Sequence, residues 1–332
     1  MGVEARRKVQ PCLTPGESMQ KPHPPPFRSN PEGRGRSYKL AGRHLSLPAR
    51  CVGPPNLPIS ASPTPKLAPR LAPARTHPQA RQAPRAKPQG ALMLTIEHHD
   101  GVTSVTLNRP DKGNALGPEM VEALLARVEQ VSADDATHTL VLRGAGAHLC
   151  TGLDLTDLPR LSDAELLLRV VRIEALLAAL WHAPIRTVAV AHGRTWGAGA
   201  DLFTACEKRI ARPGTSFRFP GAQFGLVLGS RRLAERIGTN AARRLVIEGG
   251  ELDAAQGQQS GLVSVIAADG AEPPLPQPRV SRETARAVRE VTRADHRDAD
   301  LAALVRSASV PGLQARITAY RERLLLPRGA AG

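Results

Sequence analysis

Cysteine is scarce in this chain, and its four cysteines follow no recognisable pattern. Cys12, Cys51, Cys150 and Cys206 show neither CxxC spacing nor the spacing of a disulfide framework. The histidines are scattered among unlike contexts without HxxxH or Cys/His spacing, so the sequence predicts no metal site. This use of cysteine fits a reducing compartment, and we expect a cytoplasmic protein.

Long apolar runs and nucleotide-binding motifs are also missing. No stretch approaches eighteen apolar residues, so the sequence predicts no membrane span. The patterns G-x-G-x-x-G and G-x-x-x-x-G-K-[ST] do not occur, which argues against a dinucleotide or a P-loop nucleotide. The features that remain to be interpreted are the periodic segments and the glycine-rich turns.

The net charge of +15 comes almost entirely from the first ninety residues. Residues 1–90 hold 16 Lys and Arg against 3 Asp and Glu, a net of +13, which leaves +2 for the remainder. The same segment contains 18 of the 30 prolines and has no apolar periodicity. We therefore predict that residues 1–92 form a disordered Pro/Arg-rich extension, and we expect no nucleic-acid partner for the nearly neutral remainder.

Three interpretations of this extension stay open. It could be a basic arm for RNA or another anionic surface, a targeting peptide, or an upstream segment outside the working protein. We favour the last interpretation, because Met93 stands immediately before the first regular pattern of the chain.

The remainder begins with a predicted hairpin and a helix. Leu94 to Glu97 and Val102 to Leu107 are typical of two strands around the turn signal Asp100-Gly101. Pro118 stands where a first helical residue belongs. The residues that line one face of this helix are apolar: Met120, Val121, Leu124, Leu125, Val128 and Val131.

Strands and helices then alternate. Thr139 to Leu142 and Thr187 to Ala191 are typical of buried strands, and Ser162 with Glu165 predicts a capping box at the start of the helix between them. This order predicts an α/β fold built from parallel strand–helix–strand units.

A glycine-rich turn follows each of these two strands. In residues 186–211 the strand leads to Gly197-Ala-Gly199 and then to good helix formers, so backbone N–H groups would be unpaired at the helix start. Such donors suit an anion or an oxyanion, although turns of this kind also occur for packing alone. Because ligands bind beyond the carboxyl ends of parallel strands, loops 143–154 and 192–201 are expected to face one site.

Several segments, in this order, resemble the crotonase superfamily, the enoyl-CoA hydratase/isomerase family. The resemblance extends over about residues 93–325 and depends on order and spacing more than on one motif. The matching segments are LNRPDKGNAL (107–116), LRGAGAHLCTGLDL (142–155), PIRTVAVAHGRTWGAGADLFTACEKRIA (184–211), FRFPGAQFGLVLG (217–229), RRLAERIGTNAARRLVIEGGELDAAQ (231–256) and SGLVSVI (260–266).

The resemblance implies a crotonase-like ββα superhelix in residues 93–266 and a C-terminal helical region in residues 267–332 that serves assembly. It implies a homotrimer or hexamer, and an acyl-CoA thioester as substrate with coenzyme A in place of any separate cofactor. The backbone N–H groups of Leu153 and Ala198 would form the oxyanion hole for the thioester enolate.

The resemblance also implies substrate-binding residues around this hole. Gly152, Gly197 and Gly199 would give the substrate access to the backbone, Lys112 would meet a coenzyme A phosphate, and Gly221 would also belong to the substrate-binding set.

Two departures from the family pattern weaken the expectation of hydration. A hydratase of this family uses two glutamates, which fall here on Asp201 and Gly221. With a single carboxylate, double-bond isomerisation, decarboxylation or thioester hydrolysis fits better, so both a lyase and an isomerase stay open. Asp201 could instead complement the charge of its helix start, and the chain could be a non-catalytic acyl-CoA-binding or assembly protein.

Several nearby residues are weaker candidates. We expect Trp196 to pack and His192 to be a structural histidine, and we regard Glu207 and Gln223 as poor replacements for the missing glutamate.

Overall fold

A computed structural model describes residues 93–271, 275 and 277–325. The predicted extension, residues 1–92, lies outside the described residues, as do Cys12 and Cys51. Within the described part of the chain, no helix combines the length and the apolar character needed to cross a membrane.

The fold begins with the predicted hairpin. Strands β1 (Leu94–His99) and β2 (Val102–Leu107) pair antiparallel. Asp100 and Gly101 join them with φ values of 47° and 71°, the positive φ that a two-residue turn of this kind requires at both positions. The turn chemistry predicted from the Asp-Gly pair is therefore confirmed.

A six-stranded sheet forms the centre of the molecule, in the order β1-β2-β3-β4-β6-β9. Every neighbouring pair after the hairpin is parallel, which confirms the predicted α/β alternation. The four further strands of this sheet are β3 (Thr139–Gly144), β4 (Arg186–Ala191), β6 (Lys208–Ala211) and β9 (Val265–Ile266).

Two long helices connect the first parallel strands. Helix α1 (Pro118–Ala133) begins at the proline, and the six apolar residues predicted to line its inner face are all buried. Helix α2 (Asp163–Trp181) begins with the predicted capping box: the Glu165 N–H donates to Ser162 Oγ at 3.2 Å, and the Ser162 N–H donates to Glu165 Oε2 at 2.8 Å.

A second, three-stranded sheet was not predicted. It contains β5 (Arg194–Trp196), β7 (Ser216–Arg218) and β8 (Glu251–Asp253) in that order. The segment 192–201, interpreted from the sequence as one glycine-rich loop, therefore contains a short strand. The side chain of Trp196, the last residue of β5, donates from Nε1 to Ser216 Oγ at 2.9 Å, which ties the strand to β7.

The remaining helices complete the fold. The last two, α8 and α9, pack against α2 through an apolar cluster that includes Val170, Leu304 and Ile317. Region 267–332 thus contains helices, while its predicted role in assembly stays a prediction. The helices from the glycine-rich turn onward are α3 (Ala198–Ala205), α4 (Ser230–Ile237), α5 (Thr239–Arg244), α6 (Ala254–Ser260), α7 (Arg282–Val291), α8 (Arg297–Ala308) and α9 (Leu313–Leu325).

Candidate active site

The loop after β3 is fixed from behind by a buried asparagine. The Asn114 side-chain amide donates to the carbonyl oxygens of Ala145 at 2.9 Å and His148 at 2.8 Å. Its oxygen accepts the Arg109 N–H at 2.9 Å. Arg109 in turn pairs with Asp154 at the far end of the same loop, at 2.9 Å. The loop backbone is therefore held at both ends before any ligand is present.

The backbone bridge between Leu116 and Leu153 does not use the N–H of Leu153. The Leu116 N–H donates to the Gly152 oxygen at 2.7 Å, and the Asp154 N–H donates to the Leu116 oxygen at 3.1 Å. A parallel bridge of this type uses the groups on either side of Leu153, so the N–H of Leu153 itself points away from Leu116.

The second loop leads directly into helix α3. Gly197, with φ of 53°, precedes the helix, and its carbonyl accepts the N–H groups of Ala200 at 2.8 Å and Asp201 at 3.0 Å. The N–H of Ala198 belongs to the first helical turn, where a helix offers no acceptor of its own. The positive end of the helix therefore adds to the local attraction for an anionic oxygen.

The two loops meet backbone to backbone. A Cβ added at Gly152 would lie 2.9 Å from the Trp196 oxygen and 3.4 Å from the Ala198 nitrogen. A Cβ added at Gly199 would overlap the Cys150 carbonyl oxygen. Only glycine permits this approach, and the structure brings together the two loops that the strand order had placed at one edge.

A cavity of about 210 Å³ lies beside these loops. Six of the eight predicted site residues line it, whereas Gly199 is absent from the lining and Lys112 is exposed outside it. The predicted residues in the lining are Gly152, Leu153, Gly197, Ala198, Asp201 and Gly221.

Apolar side chains from three parts of the chain form much of the cavity wall. Val170 and Ile173 come from α2, Phe219 and Leu226 from the segment after β7, and Ile317 from α9. Such a lining suits an apolar acyl group. The contribution of α9 was not anticipated from the sequence.

Asp201 presents a buried carboxyl to this cavity. The residue is 6% exposed, and burial raises the pKa of its carboxyl well above the usual value, with Arg232 lowering and Glu174 raising it further. Among the described residues, no side chain or backbone group hydrogen-bonds this carboxyl. A Cβ added at Gly229, where φ is 65°, would overlap its Oδ1. The carboxyl therefore packs against the start of α4, and the cap of α3 involves no side-chain hydrogen bond.

An ion pair that sequence reasoning missed lies close to Asp201. Arg232 donates from Nη1 and Nη2 to the two carboxylate oxygens of Glu174, at 3.0 and 2.5 Å. Both residues are buried, with 2% and 3% exposure. A signal was available, because Glu174 falls on the otherwise apolar inner face of α2.

Gly221 stands at the position where the family resemblance implies a second glutamate. It lies in a short helical turn, Pro220–Phe224, and lines the cavity. A Cβ added there would lie 3.3 Å from the Leu226 oxygen and 3.8 Å from the Leu226 Cβ. A side chain at this position would therefore require the Leu226 carbonyl to shift by a few tenths of an ångström, less than the displacement required at Gly152 or Gly199.

Other polar residues near the turn have structural partners. His192 Nε2 lies 3.0 Å from the Gly146 oxygen, and Glu207 accepts from Arg289 Nε at 2.7 Å. Trp196 both packs and borders the cavity. Within the described ranges, no group of three His, Cys, Asp or Glu side chains is arranged to hold a metal ion.

A family model for enoyl-CoA hydratase/isomerase matches residues 97–296 of this chain. The chain therefore belongs to the enoyl-CoA hydratase/isomerase family, whose members share the crotonase fold.

Particular relatives agree with this placement. A Bordetella parapertussis protein of known structure, provisionally named enoyl-CoA hydratase/isomerase, is 39% identical, with a TM-score of 0.66 over 71% of this chain and 100% of its own. The enoyl-CoA hydratase of Bacillus halodurans, 19% identical with a TM-score of 0.59 over 68% of this chain and 99% of its own, supports the fold alone. The mouse protein named enoyl-CoA hydratase domain-containing protein 2, mitochondrial, is 30% identical over 58% of this chain and 67% of its own.

Proposed function

We propose that this chain is an acyl-CoA enzyme that stabilises the enolate of a thioester with the N–H groups of Leu153 and Ala198. The observation that carries the proposal is the contact between the two glycine loops beside an apolar cavity. Each such donor lowers a barrier by roughly 3 kcal/mol in comparable sites. Coenzyme A enters as part of the substrate, and Lys112 is the proposed contact for one of its phosphates.

Asp201 is the proposed acid and base. Its carboxylate takes a proton from the carbon next to the thioester, and the negative charge passes to the thioester oxygen between the two N–H groups. The resulting carboxylic acid returns the proton to a carbon farther along the acyl chain, which completes a double-bond isomerisation. The raised pKa supports this role, because a group that both accepts and donates a proton works best when its pKa approaches the working pH.

Decarboxylation is the second candidate reaction, and the same raised pKa favours it. A raised pKa increases the protonated fraction of the carboxyl, and the protonated form would deliver a proton to the enolate that remains when carbon dioxide leaves a malonyl-type thioester. Hydration is disfavoured, since Gly221 supplies no second group to hold the attacking water.

The test is a turnover assay of the full-length protein on 2-enoyl, 3-enoyl, 3-hydroxyacyl and malonyl-type thioesters, followed by product analysis. Asp201→Asn keeps the shape and removes the charge, so turnover should fall by roughly 10²–10⁴ with little change in Kd. Asp157→Asn is the matched control, because Asp157 pairs with Arg169 and does not line the cavity.

The alternative is a non-catalytic acyl-CoA-binding or assembly protein, and Gly221 is the observation that favours it. Thioester binding with no turnover on any member of the panel, and no effect of Asp201→Asn, would decide for this alternative.

A homotrimer or hexamer is the proposed assembly, with helices α7 to α9 as the contributing region. Light scattering of the full-length protein tests it, and a monomer at micromolar concentration would contradict it.

A further inference from the structure

Among the described residues that line the cavity, Asp201 supplies the one carboxyl, and other buried charges lie near it. Glu174 and Arg232 form a bidentate ion pair with nitrogen–oxygen distances of 3.0 and 2.5 Å, and both are removed from solvent. Burying two charges costs free energy that their attraction does not reliably offset, so a buried pair is weak evidence for a stabilising role. The pair calls for an explanation in terms of what lies next to it.

The pair is linked to the cavity through Glu174 and to Asp201 through the helix that carries Arg232. Glu174 directly follows Ile173, whose side chain lines the cavity. Arg232 lies in the first turn of α4, and the residue that precedes this helix, Gly229, contacts the Asp201 carboxyl. The start of α4 therefore contributes both the backbone on which the Asp201 carboxyl rests and the cation near it.

The guanidinium of Arg232 also makes fewer hydrogen bonds than it has N–H groups to donate. Its Nε is buried and has no hydrogen-bond partner among the residues that the structure describes. An unpaired buried N–H of a charged group is costly, so the pair with Glu174 does not satisfy every donor of this guanidinium.

We propose that Glu174 and Arg232 are positioning residues that set the protonation balance of Asp201, so that this one carboxyl can both take and return the proton. The proposal rests on the function proposed for Asp201 and explains how the site works without a carboxylate at position 221. Arg232 favours the ionised form of Asp201 and Glu174 opposes it, so the pair tunes the carboxyl from two directions.

The other charged groups near Asp201 are few. Asp300 lies 3.7 Å from Arg232 Nη2 and 2.7 Å from Arg231 Nε, so it withdraws part of the positive charge. Arg321 lines the cavity and donates to the Leu155 oxygen at 3.1 Å. The charges that shift the pKa of the Asp201 carboxyl are those of Arg232 and Glu174, and not those of Asp300 or Arg321.

The test measures the titration of the Asp201 carboxyl by ¹³C NMR in the full-length protein, with the signal identified by its loss in Asp201→Asn. The pH profile of kcat/KM is recorded in parallel. Glu174→Gln should move the Asp201 midpoint down by about one pH unit, a tenfold change in proton concentration, and Arg232→Gln should move it up by a similar amount. Arg232→Lys should keep the midpoint close to that of the parent, because it retains the charge.

An exposed pair between α2 and α1 provides the matched control. Arg172 contacts Glu122 with the same bidentate geometry, at 2.7 and 2.6 Å, but lies at the surface. Glu122→Gln and Arg172→Gln should leave the Asp201 titration unchanged, since exposed charges are screened by water and salt.

The outcomes separate this inference from the proposed function. Unchanged turnover in Asp201→Asn would refute the role of Asp201 in catalysis, while the NMR titration would still measure its coupling to the pair. Shifts in the same direction in Glu174→Gln and Arg232→Gln, or no shift in either, would overturn the inference. If Arg232→Gln fails to fold, an unmoved midpoint in folded Glu174→Gln overturns it alone, and a lowered midpoint supports it.

Discussion

The two glycine loops and the segment after β7 border the same cavity in different ways. At the loops, backbone packs on backbone, and a Cβ at Gly152 would lie 2.9 Å from the Trp196 oxygen. In the segment after β7, a Cβ at Gly221 would lie 3.3 Å from the nearest atom. The loops therefore tolerate almost no change, whereas a side chain in the segment after β7 requires its neighbour to shift by only a few tenths of an ångström. We infer that ligand recognition depends on the first region and reaction type on the second.

The largest effect is expected where the loops meet. Gly199→Val would drive a side chain into the Cys150 carbonyl and separate the loops, so affinity for an acyl-CoA thioester should fall by about a hundredfold or more, equivalent to about 2.7 kcal/mol. Isothermal titration calorimetry measures this loss. Gly221→Ala is the control, because it adds a methyl group to the segment after β7. Unchanged affinity in Gly199→Val would refute the oxyanion-hole assignment. It would also refute the inferred difference between the glycine loops and the segment after β7.

A smaller effect should follow from displacing the Asp201 carboxyl. In Gly229→Ala the new methyl group overlaps the Asp201 carboxyl, and a displacement of this kind should lower turnover by about a hundredfold with little change in Kd. Gly214→Ala is the matched control, because Gly214 has a similar φ of 75° and no atom within 4 Å of an added Cβ. Equal losses in both variants would attribute the effect to backbone strain rather than to Asp201.

A gain of function is expected from a substitution in the segment after β7. Gly221→Glu restores the second carboxylate of the family, and hydration of a 2-enoyl thioester should rise by about tenfold or more above the parent. Gly221→Gln has nearly the same shape without the charge and should show no gain. Equal hydration in Gly221→Glu and the parent would mean that the geometry of the segment after β7, and not the missing carboxylate, limits the hydration rate.

The smallest effect concerns stability and pH. Because burial raises the pKa of Asp201, its neutral form contributes stability that is present below the ordinary pKa of 3.8 and lost as the pH rises through the raised value. Asp201→Asn cannot ionise, so its advantage in the free energy of unfolding should grow by about 1.4 kcal/mol for each pH unit in that window. Thermal melts from pH 4 to pH 9 measure it, and a difference that does not vary with pH would contradict the buried, neutral carboxyl.

Local sequence signals predicted the parts of the fold that local chemistry decides. The Asp100-Gly101 turn, the proline at the start of α1 and the Ser162–Glu165 capping box each depend on residues close together in the chain. The buried strands followed from their apolar composition, and the strand order placed the two glycine loops at one edge of the sheet.

The features that were missed depend on contacts between distant segments. Strand β5 exists because Arg194 pairs with Ser216, and three residues give no periodic signal. The contact of Gly229 with Asp201 and the closing of the cavity by α9 likewise require the folded chain. The charged residue on the inner face of α2 was visible in the sequence, but its partner on α4 was not.

The N–H groups of Leu153 and Ala198 belong to the main chain, and this makes them hard to lose by mutation. Every amino acid except proline supplies the same N–H, so almost any single-codon change at either position leaves the donor in the protein. The carboxyl groups around them are encoded by individual side chains and disappear with one nucleotide change. A glycine at position 221 is thus a change that one substitution can make, and reverse, while both main-chain N–H groups remain in the protein.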